Sequence, residues 1–528
     1  MNKTVPLAAL VMAALSAWPL TAQAKPAKAP AKAKATPSAV GDWSGALNAD
    51  GTQLRLVVHF TPKPGGGLAG TLDSLDQGAN GIPFSLVRQT GGKVHAEASG
   101  IKAVYDGTLD PSGKTVAGHW TQVMPLPLTL TRMTAATRAA LLQNGRPQEP
   151  TPPYPYAASD ITFPGGAAGV TLAGTLTVPP GDGPFTAAVL IAGSGPNDRD
   201  ETILRHKLFL VLADDLTRRG IAVLRYDKRG IGKSTGSYAL ATSADFAEDA
   251  RAAFAYLKAQ PRVNPAKIGL IGHSEGGLIA PMVAAKSRDV AFLVLLAGTG
   301  FSGERIIAEQ AALIGKAEGA SDADVAKSQV TEKAVLAVAV HEPNADAARI
   351  KIEALMRQAF AAATPAQKKA AGDPIQLIRA QSAALVSPWF RYFLAYDPAP
   401  TLQQVHCPVL ALDGSLDLQV PPAENLAAIG AALKAGGNTD VTTTKLPGLN
   451  HLFQTAHTGS PSEYGKIEET LSPTLLKVVG DWVEKVSDPL PGASADPLPG
   501  ASTDPLPGAS ADPLPATNRA PPLGGKGV

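Results

Sequence analysis

Two periodicities divide the chain. Over residues 40–133, apolar and polar positions alternate in short runs such as LRLVVHF, LAGTLDSL, AVYDGTLD and PLPLTLTR, punctuated by Gly, Asn, Asp or Pro. A period of two with regular turns predicts a small antiparallel β domain, a barrel or a sandwich. Over residues 158–486 the pattern changes. Continuous apolar runs (AAVLIAG, IAVLRYD, KIGLIGHS, AFLVLLAG, PVLALDG) alternate with longer amphipathic stretches such as FLVLADDLTRR and DFAEDARAAFAYLKA. Strands without polar alternation are buried on both faces, so this half predicts a mainly parallel sheet covered by helices on each side. Residues 302–400 interrupt the alternation. They are Ala-rich, helix-compatible and without strand signals, and they lie between two sheet strands. That predicts a helical insertion, either a lid over a site at the strand ends or a purely stabilising element. Residues 134–157 connect the two halves.

The ends read differently. Lys3, an apolar run over residues 5–20 and Ala22-Gln23-Ala24 stand in the order of an export signal with its cleavage site. Residues 1–24 are therefore expected to be a signal peptide, and the mature protein to be periplasmic or secreted. Residues 25–39 form a Pro/Ala/Lys linker. Residues 487–528 carry the octad DPLPGASA, DPLPGAST, DPLPGASA, whose prolines prevent a helix and favour an extended or disordered spacer. No run is long and apolar enough to predict an integral membrane segment. At 45% hydrophobic and 17% charged residues the composition is that of a folded protein, and a net charge of +2 offers no argument for nucleic-acid binding. Cys407 is the sole cysteine, so the fold relies on its core without a disulfide. There is no H-E-x-x-H and no cysteine cluster, so no metal and no cofactor are expected.

The chemistry concentrates in Gly272-His273-Ser274-Glu275-Gly276, a G-x-S-x-G. An apolar strand runs into it and the helix-compatible GGLIAPMVAA runs out, the setting of a nucleophile elbow that lifts the Ser274 hydroxyl out at a strand end. A serine needs a base and the base an orienting acid, in the chain order Ser, acid, His. Of the histidines after Ser274, His341 falls in the helical insertion and His406 precedes the acid. His451, in the loop LPGLNHLFQ, is the expected base, with His457 as the alternative. In PVLALDGSLDLQVPP both Asp413 and Asp417 qualify as acid. Asp413 is explained by an Asp-Gly turn and Asp417 lies farther into the loop, which favours Asp417. An oxyanion hole requires two backbone N–H groups. One is expected from Glu275. The other is expected from the loop Gly193-Ser194-Gly195-Pro196, at Ser194 or, alternatively, Gly195. Asp198, Arg199, Asp200, Asp227, Lys228 and Arg229 follow two strand ends and read as an ion-pair network bracing the loops, or as a carboxylate-binding site through Arg199 or Arg229. Trp43 and Trp120 in the β half are core residues or an aromatic binding patch.

AGSGPNDRDE, RYDKRGIGKSTG, GHSEGG, DLQVPP and PGLNHLFQ together resemble the EstD-like bacterial α/β-hydrolase esterases and the wider serine aminopeptidase-like and dienelactone-hydrolase-like group, over residues 161–486. The resemblance implies an α/β-hydrolase fold with a helical lid, an accessory β domain ahead of it, and carboxylesterase activity on small-molecule esters of short acyl chains. It implies the same triad of Ser274, Asp417 and His451. Ala192 departs from the family's usual His-Gly oxyanion motif. An aminopeptidase, thioesterase or lactonase would use the same triad, and a cell-envelope binding protein acting through the β domain is the non-enzymatic alternative. Substrate-binding residues and oligomeric state are not given by the sequence.

Overall fold

A computed structural model describes residues 37–487 apart from 50–51, 76–78, 123–124, 143–145, 364–367 and 369–373. The expected signal peptide (1–24), residues 25–36 of the linker and residues 488–528 of the repeat tail lie outside the described residues.

The alternating half forms one antiparallel sheet of nine strands: β1 (Gly41–Ala49), β2 (Thr52–Pro62), β3 (Leu68–Ser74), β4 (Ala79–Pro83), β5 (Leu86–Thr90), β6 (Lys93–Ala98), β7 (Ala103–Leu109), β8 (Thr115–Thr121) and β9 (Pro125–Arg132). The order β2-β1-β9-β8-β7-β6-β5-β3-β4, with β2 also paired to β3, closes the sheet into a barrel. Closure pairs the β2 edge that a small open sheet would expose, and leaves the short β4 paired on one side only. Trp43, Phe60, Leu72, Tyr105 and Leu130 fill the interior from alternate positions. Trp43 and Trp120 are both buried in this core, so they do not form an exposed aromatic patch. The Trp43 indole N–H donates to the Ala39 carbonyl at 2.7 Å, and Ala39 N–H donates to Gln89 Oε1 at 2.8 Å. Residues 37–39, expected as linker, are thereby stitched to the barrel.

The second half is an eight-stranded mixed sheet: β10 (Ala157–Pro164), β11 (Thr171–Val178), β12 (Phe185–Ile191), β15 (Ala222–Tyr226), β16 (Val263–His273), β17 (Leu293–Leu296), β18 (Val409–Gly414) and β19 (Val441–Leu446). Between β12 and β15, β13 (Thr202–Ile203) and β14 (His206–Lys207) form a separate small hairpin. The order is β10-β11-β15-β12-β16-β17-β18-β19. β10 and β11 pair antiparallel and β11 joins β15 antiparallel, while every later pairing is parallel. This is the α/β-hydrolase topology. The continuous apolar runs are explained by the two layers they serve: along β12, Val189 and Ile191 pack into one core, and Ala188 and Leu190 into the other.

Helix α1 (Ala135–Leu142) follows the barrel; α2 (Leu208–Arg218), α3 (Ser243–Lys258) and α4 (Glu275–Ala284) alternate with the strands. Among the described residues, six helices then separate β17 from β18: α5 (Gly303–Ala317), α6 (Asp322–His341), α7 (Ala345–Ala361), α8 (Pro374–Leu385), α9 (Pro388–Ala395) and α10 (Ala399–Leu402). They occupy the stretch expected to be helical. Several begin at side-chain caps: Ser321, Asn344 and Ser387 accept from the N–H groups of Asp324, Ala347 and Phe390. Helices α11 (Pro422–Ala435), α12 (Pro461–Tyr464) and α13 (Pro473–Ser487) complete the chain. α13 buries Leu475, Val479 and Val483 at intervals of four, one face of a helix laid on the sheet, each worth about 1.5–3 kcal/mol.

The connecting stretch is more than a connector. Arg146 donates through Nη1 to Ile467 O (2.9 Å) and through Nη2 to Gly465 O (2.8 Å) and Leu204 O (3.2 Å). Gln148 bonds Leu471 through both ends of its amide, and Lys207 pairs with Glu149 at 2.7 Å. Residues 146–149 therefore pack as part of the hydrolase half, and the expected boundary at 158 falls inside it.

Candidate active site

Ser274 stands between the end of β16 and the start of α4 with φ 53° and ψ −116°. A left-handed φ is strained for a residue with a Cβ and persists only where packing enforces it. The packing here is tight. A Cβ on Gly272 would lie 2.0 Å from Gly276 O, and a Cβ on Gly276 would lie 1.9 Å from Ile191 O. Only glycine permits strand and helix to approach this closely, which is the physical content of the two flanking glycines.

His451 Nδ1 lies 2.6 Å from Asp417 Oδ2. The other Asp417 oxygen accepts from Gln419 N (2.7 Å) and Val420 N (2.9 Å). Burial opposes the charge on Asp417, but His451 and these N–H groups hold its carboxyl below the usual range. Asp413 differs. Burial, and the Asp417 carboxylate beside it, push its carboxyl well above the usual range. Its Oδ1 accepts from Gly414 N, and its Oδ2 has no partner. Of the two aspartates, Asp417 is the one joined to a histidine. His457 is exposed and does not border the cavity that Ser274 and His451 share. Ser274 Oγ and His451 are not hydrogen-bonded to one another in this structure; such contacts are often long before substrate binds.

The cavity measures about 540 Å³ counted to its open mouth. Ser194 borders it together with Ser274 and Glu275, and Gly195 does not. The Gly193 N–H is already committed to Glu201 Oε1 at 2.6 Å. Glu275 opens α4, where a backbone N–H has no carbonyl of its own helix to bond. The N–H groups of Ser194 and Glu275 are thus the candidates to meet an oxyanion. Apolar walls come from the insertion and the acid loop: Ile306, Ile307, Trp389, Phe390, Phe393 and Val420.

Two buried glutamates organise the loops around Ser274, and the sequence reading assigned neither side chain a role. Glu201, wholly buried, accepts at Oε1 from His273 Nδ1 (2.9 Å) as well as from Gly193. His273 Nε2 donates to His451 O at 3.0 Å. With an acceptor at each ring nitrogen, the doubly protonated form of His273 is the one that satisfies both contacts. Burial disfavours that charge, and the Glu201 carboxylate outweighs it, raising His273 above its ordinary value. Glu275 accepts at Oε1 from Ser243 Oγ (2.6 Å) and Trp389 Nε1 (2.6 Å), and at Oε2 from Lys228 Nζ (3.1 Å). Lys228 also donates to Gly193 O at 2.5 Å. Glu201 sits inside the quoted AGSGPNDRDE run, but nothing local signals a pairing with His273, 72 positions away.

The remaining strand-end charges pair with one another. Arg199 grips Asp227 through Nε (3.1 Å) and Nη2 (2.8 Å), Arg229 grips Asp249 (2.6 and 2.9 Å), and Arg225 pairs with Asp200. Asp198 accepts from Thr202 N and Oγ1. Neither Arg199 nor Arg229 borders the cavity, so the bracing arrangement holds and the carboxylate-binding alternative does not.

Sheet order, elbow, and a histidine–aspartate pair beside a serine define a class: an α/β-hydrolase-fold protein with a candidate serine-nucleophile site. A family model described as serine aminopeptidase, S33, matches residues 206–455. Esterase EstD of Thermotoga maritima is 39% identical over 136 residues, which cover 26% of this chain and 31% of EstD. The matched stretch thus spans about a third of that relative. These matches bear out the resemblance to EstD-like esterases. Among solved structures, the chain is similar to alpha/beta hydrolase GrgF from Penicillium sp. sh18 at 19% identity and TM-score 0.39, covering 63% of this chain and 99% of that one. It is also similar to Est1E from Butyrivibrio proteoclasticus at 15% identity and TM-score 0.34, covering 62% and 98%.

Proposed function

We propose that the protein is a serine hydrolase of carboxylic esters, acting on short acyl chains through an acyl-enzyme, after export from the cytoplasm. One observation carries the reading: Ser274 and an Asp417-oriented His451 border a single cavity, whose walls combine the apolar side chains of the insertion and Val420 with the neutral polar Thr299, Gln310 and Gln419. Ser274 Oγ attacks the ester carbonyl while His451 Nε2 takes its proton. Asp417 fixes the tautomer and stabilises the imidazolium. The oxyanion rests on the N–H groups of Ser194 and Glu275. His451 returns the proton to the departing alkoxide, and the same base then activates water to hydrolyse the acyl-Ser274 ester.

The aminopeptidase alternative needs a carboxylate for the substrate's free ammonium. Among the described residues, Glu275 is the one acidic side chain at the cavity, and it is already held by Lys228, Ser243 and Trp389. Glu304 and Glu309 do not border the cavity, and Glu309 is paired with Arg305 at 2.6 Å. This favours a neutral acyl group over a charged amine. The test is turnover of p-nitrophenyl esters from acetate upward beside aminoacyl p-nitroanilides. Ester turnover abolished by Ser274→Ala, with folding intact, is the expected result. Turnover of the anilides alone, or undiminished activity in the Ser274→Ala protein, would sink the proposal.

A further inference from the structure

Three segments distant in sequence converge on the Glu275 carboxylate. Lys228 follows β15, Ser243 opens α3, and Trp389 opens the lid helix α9. The Glu275 side chain is 1% exposed and Lys228 5% exposed, so these bonds are shielded from solvent. Trp389 is itself a wall of the cavity. Its ring stacks on Phe393 with centroids 5.5 Å apart and planes 9° apart. One residue therefore presents its backbone N–H to the reacting carbonyl and holds the cavity wall by its side chain.

We infer that Glu275 and Trp389 are positioning residues. The Trp389–Glu275 bond fastens the wall contacted by the substrate's acyl chain to the group that receives the oxyanion. The inference rests on the ester-hydrolase reading above. The wall is assigned to the acyl side by elimination within the site. The leaving oxygen must face His451, which protonates it, and Trp389 is anchored on Glu275 rather than on the His451 loop. The kinetic consequence follows from differential binding. Contact between an acyl chain and an independent wall lowers KM alone, because it is equal in ground and transition states. Contact with a wall fastened to the oxyanion donor also fixes the carbonyl against that donor, so part of its energy appears only as charge develops, and kcat rises. The site therefore selects acyl chains long enough to reach the Trp389–Phe393 pair, and it selects them through kcat.

The experiment compares kcat and KM for p-nitrophenyl acetate and pentanoate with the full-length protein, Trp389→Phe and Phe393→Leu, with Ser274→Ala as blank. The pentanoate-to-acetate ratio of kcat does not depend on the folded fraction of a preparation, so a partly folded variant still reports. In the parent protein kcat is expected to rise with chain length. Trp389→Phe keeps an aromatic wall and removes the N–H; it should cut that rise about tenfold, the effect of one hydrogen bond to a charged group. Phe393→Leu trims the wall and keeps the tether; it should raise KM for the pentanoate and retain the rise in kcat. If Trp389→Phe acts on KM alone, or if both variants act alike, the tether is overturned while ester hydrolysis stands. If the parent protein hydrolyses neither ester, the ester-hydrolase reading falls and this inference with it.

Discussion

Replacing Glu201 with Gln isolates a charge and leaves most of a geometry. The Gln oxygen still accepts from Gly193 N–H and from His273 Nδ1–H, so the bonds at 2.6 and 2.9 Å survive in form. What disappears is the carboxylate that keeps buried His273 above its ordinary value of 6.5. In the parent protein this raised group contributes stability that is fully present below the unfolded value and fades as pH rises through the folded one. In Glu201→Gln the strongest opposition to burial is gone, leaving only the His451 carbonyl and the Asp417 charge, and His273 shifts to the neutral form. One pH unit below the unfolded value, at about pH 5.5, a histidine kept neutral in the native state costs about 1.4 kcal/mol. Losing the charge assistance of its hydrogen bond costs a further ~1.5–3 kcal/mol. The variant should be less stable than the parent by about 3–4 kcal/mol at pH 5.5, and the gap should narrow steadily toward pH 9. Urea denaturation at several pH values, followed by near-ultraviolet circular dichroism, measures it. A deficit of the same size at every pH, or one that grows toward alkaline pH, would refute the assignment of a charged His273–Glu201 pair.

Three further outcomes follow from other buried groups. Asp417→Asn should abolish nearly all turnover, whereas Asp413→Asn should lose far less and gain stability at neutral pH. A carboxyl whose native value is raised destabilises progressively as pH climbs above its unfolded value, and melting curves at pH 5 and pH 8 show whether the Asn variant removes that slope. Glu332 in α6 is 2% exposed, neither of its oxygens has a partner, and burial pushes it up to about 8. Native stability should therefore decline as pH rises from about 4.3 through 8, and Glu332→Leu should flatten that decline in thermal melts. Arg146→Ala should destabilise the hydrolase half by about 2–4 kcal/mol, since three carbonyls lose a charged donor; unchanged denaturation would show that the 146–149 segment is dispensable.

What was legible in the sequence was what repeats or what is local. The period of two announced the barrel, since each strand of a closed sheet keeps one face inward, and β7 shows it in Val104 to Leu109. The continuous apolar runs announced the doubly covered sheet. β10 escaped notice because an edge strand exposed along most of its length carries no apolar pattern. The elbow was legible because strand, glycines and helix adjoin it, and the Ser-acid-His order limited the partners to a handful of residues. Long-range polar pairing left no such trace. Glu201, Trp389 and Arg146 look like ordinary loop or helix residues, and their roles depend on partners 72, 114 and 321 positions away. Proline-rich RPQEPTPPYPY reads as a linker for the same reason, since nothing local signals that Arg146 and Gln148 bond Leu204 and residues 465–471.

In a G-x-S-x-G sequence the glycines are fixed by approach distances, while the two intervening positions are nominally free. Here both are occupied by residues that convert the elbow into a junction. His273, before the serine, ties together the Glu201 loop, the Gly193 turn and the His451 carbonyl. Glu275, after the serine, ties Lys228, α3 and α9. A base and an oxyanion hole contribute to rate only if they are aligned before the charge develops, since reorganisation at that moment would consume the gain. Close packing of strand against helix holds the strained turn at Ser274 itself. Placing one ionic anchor on each side of it fixes the base loop from one neighbour and the oxyanion donor from the other. The two anchors share the Gly193 residue, whose N–H bonds Glu201 and whose carbonyl bonds Lys228. Displacing either anchor should therefore be felt at the Ser194 N–H next in the chain, which is why a substitution at Glu201, outside the proposed triad and away from the cavity lining, is expected to lower kcat as well as stability.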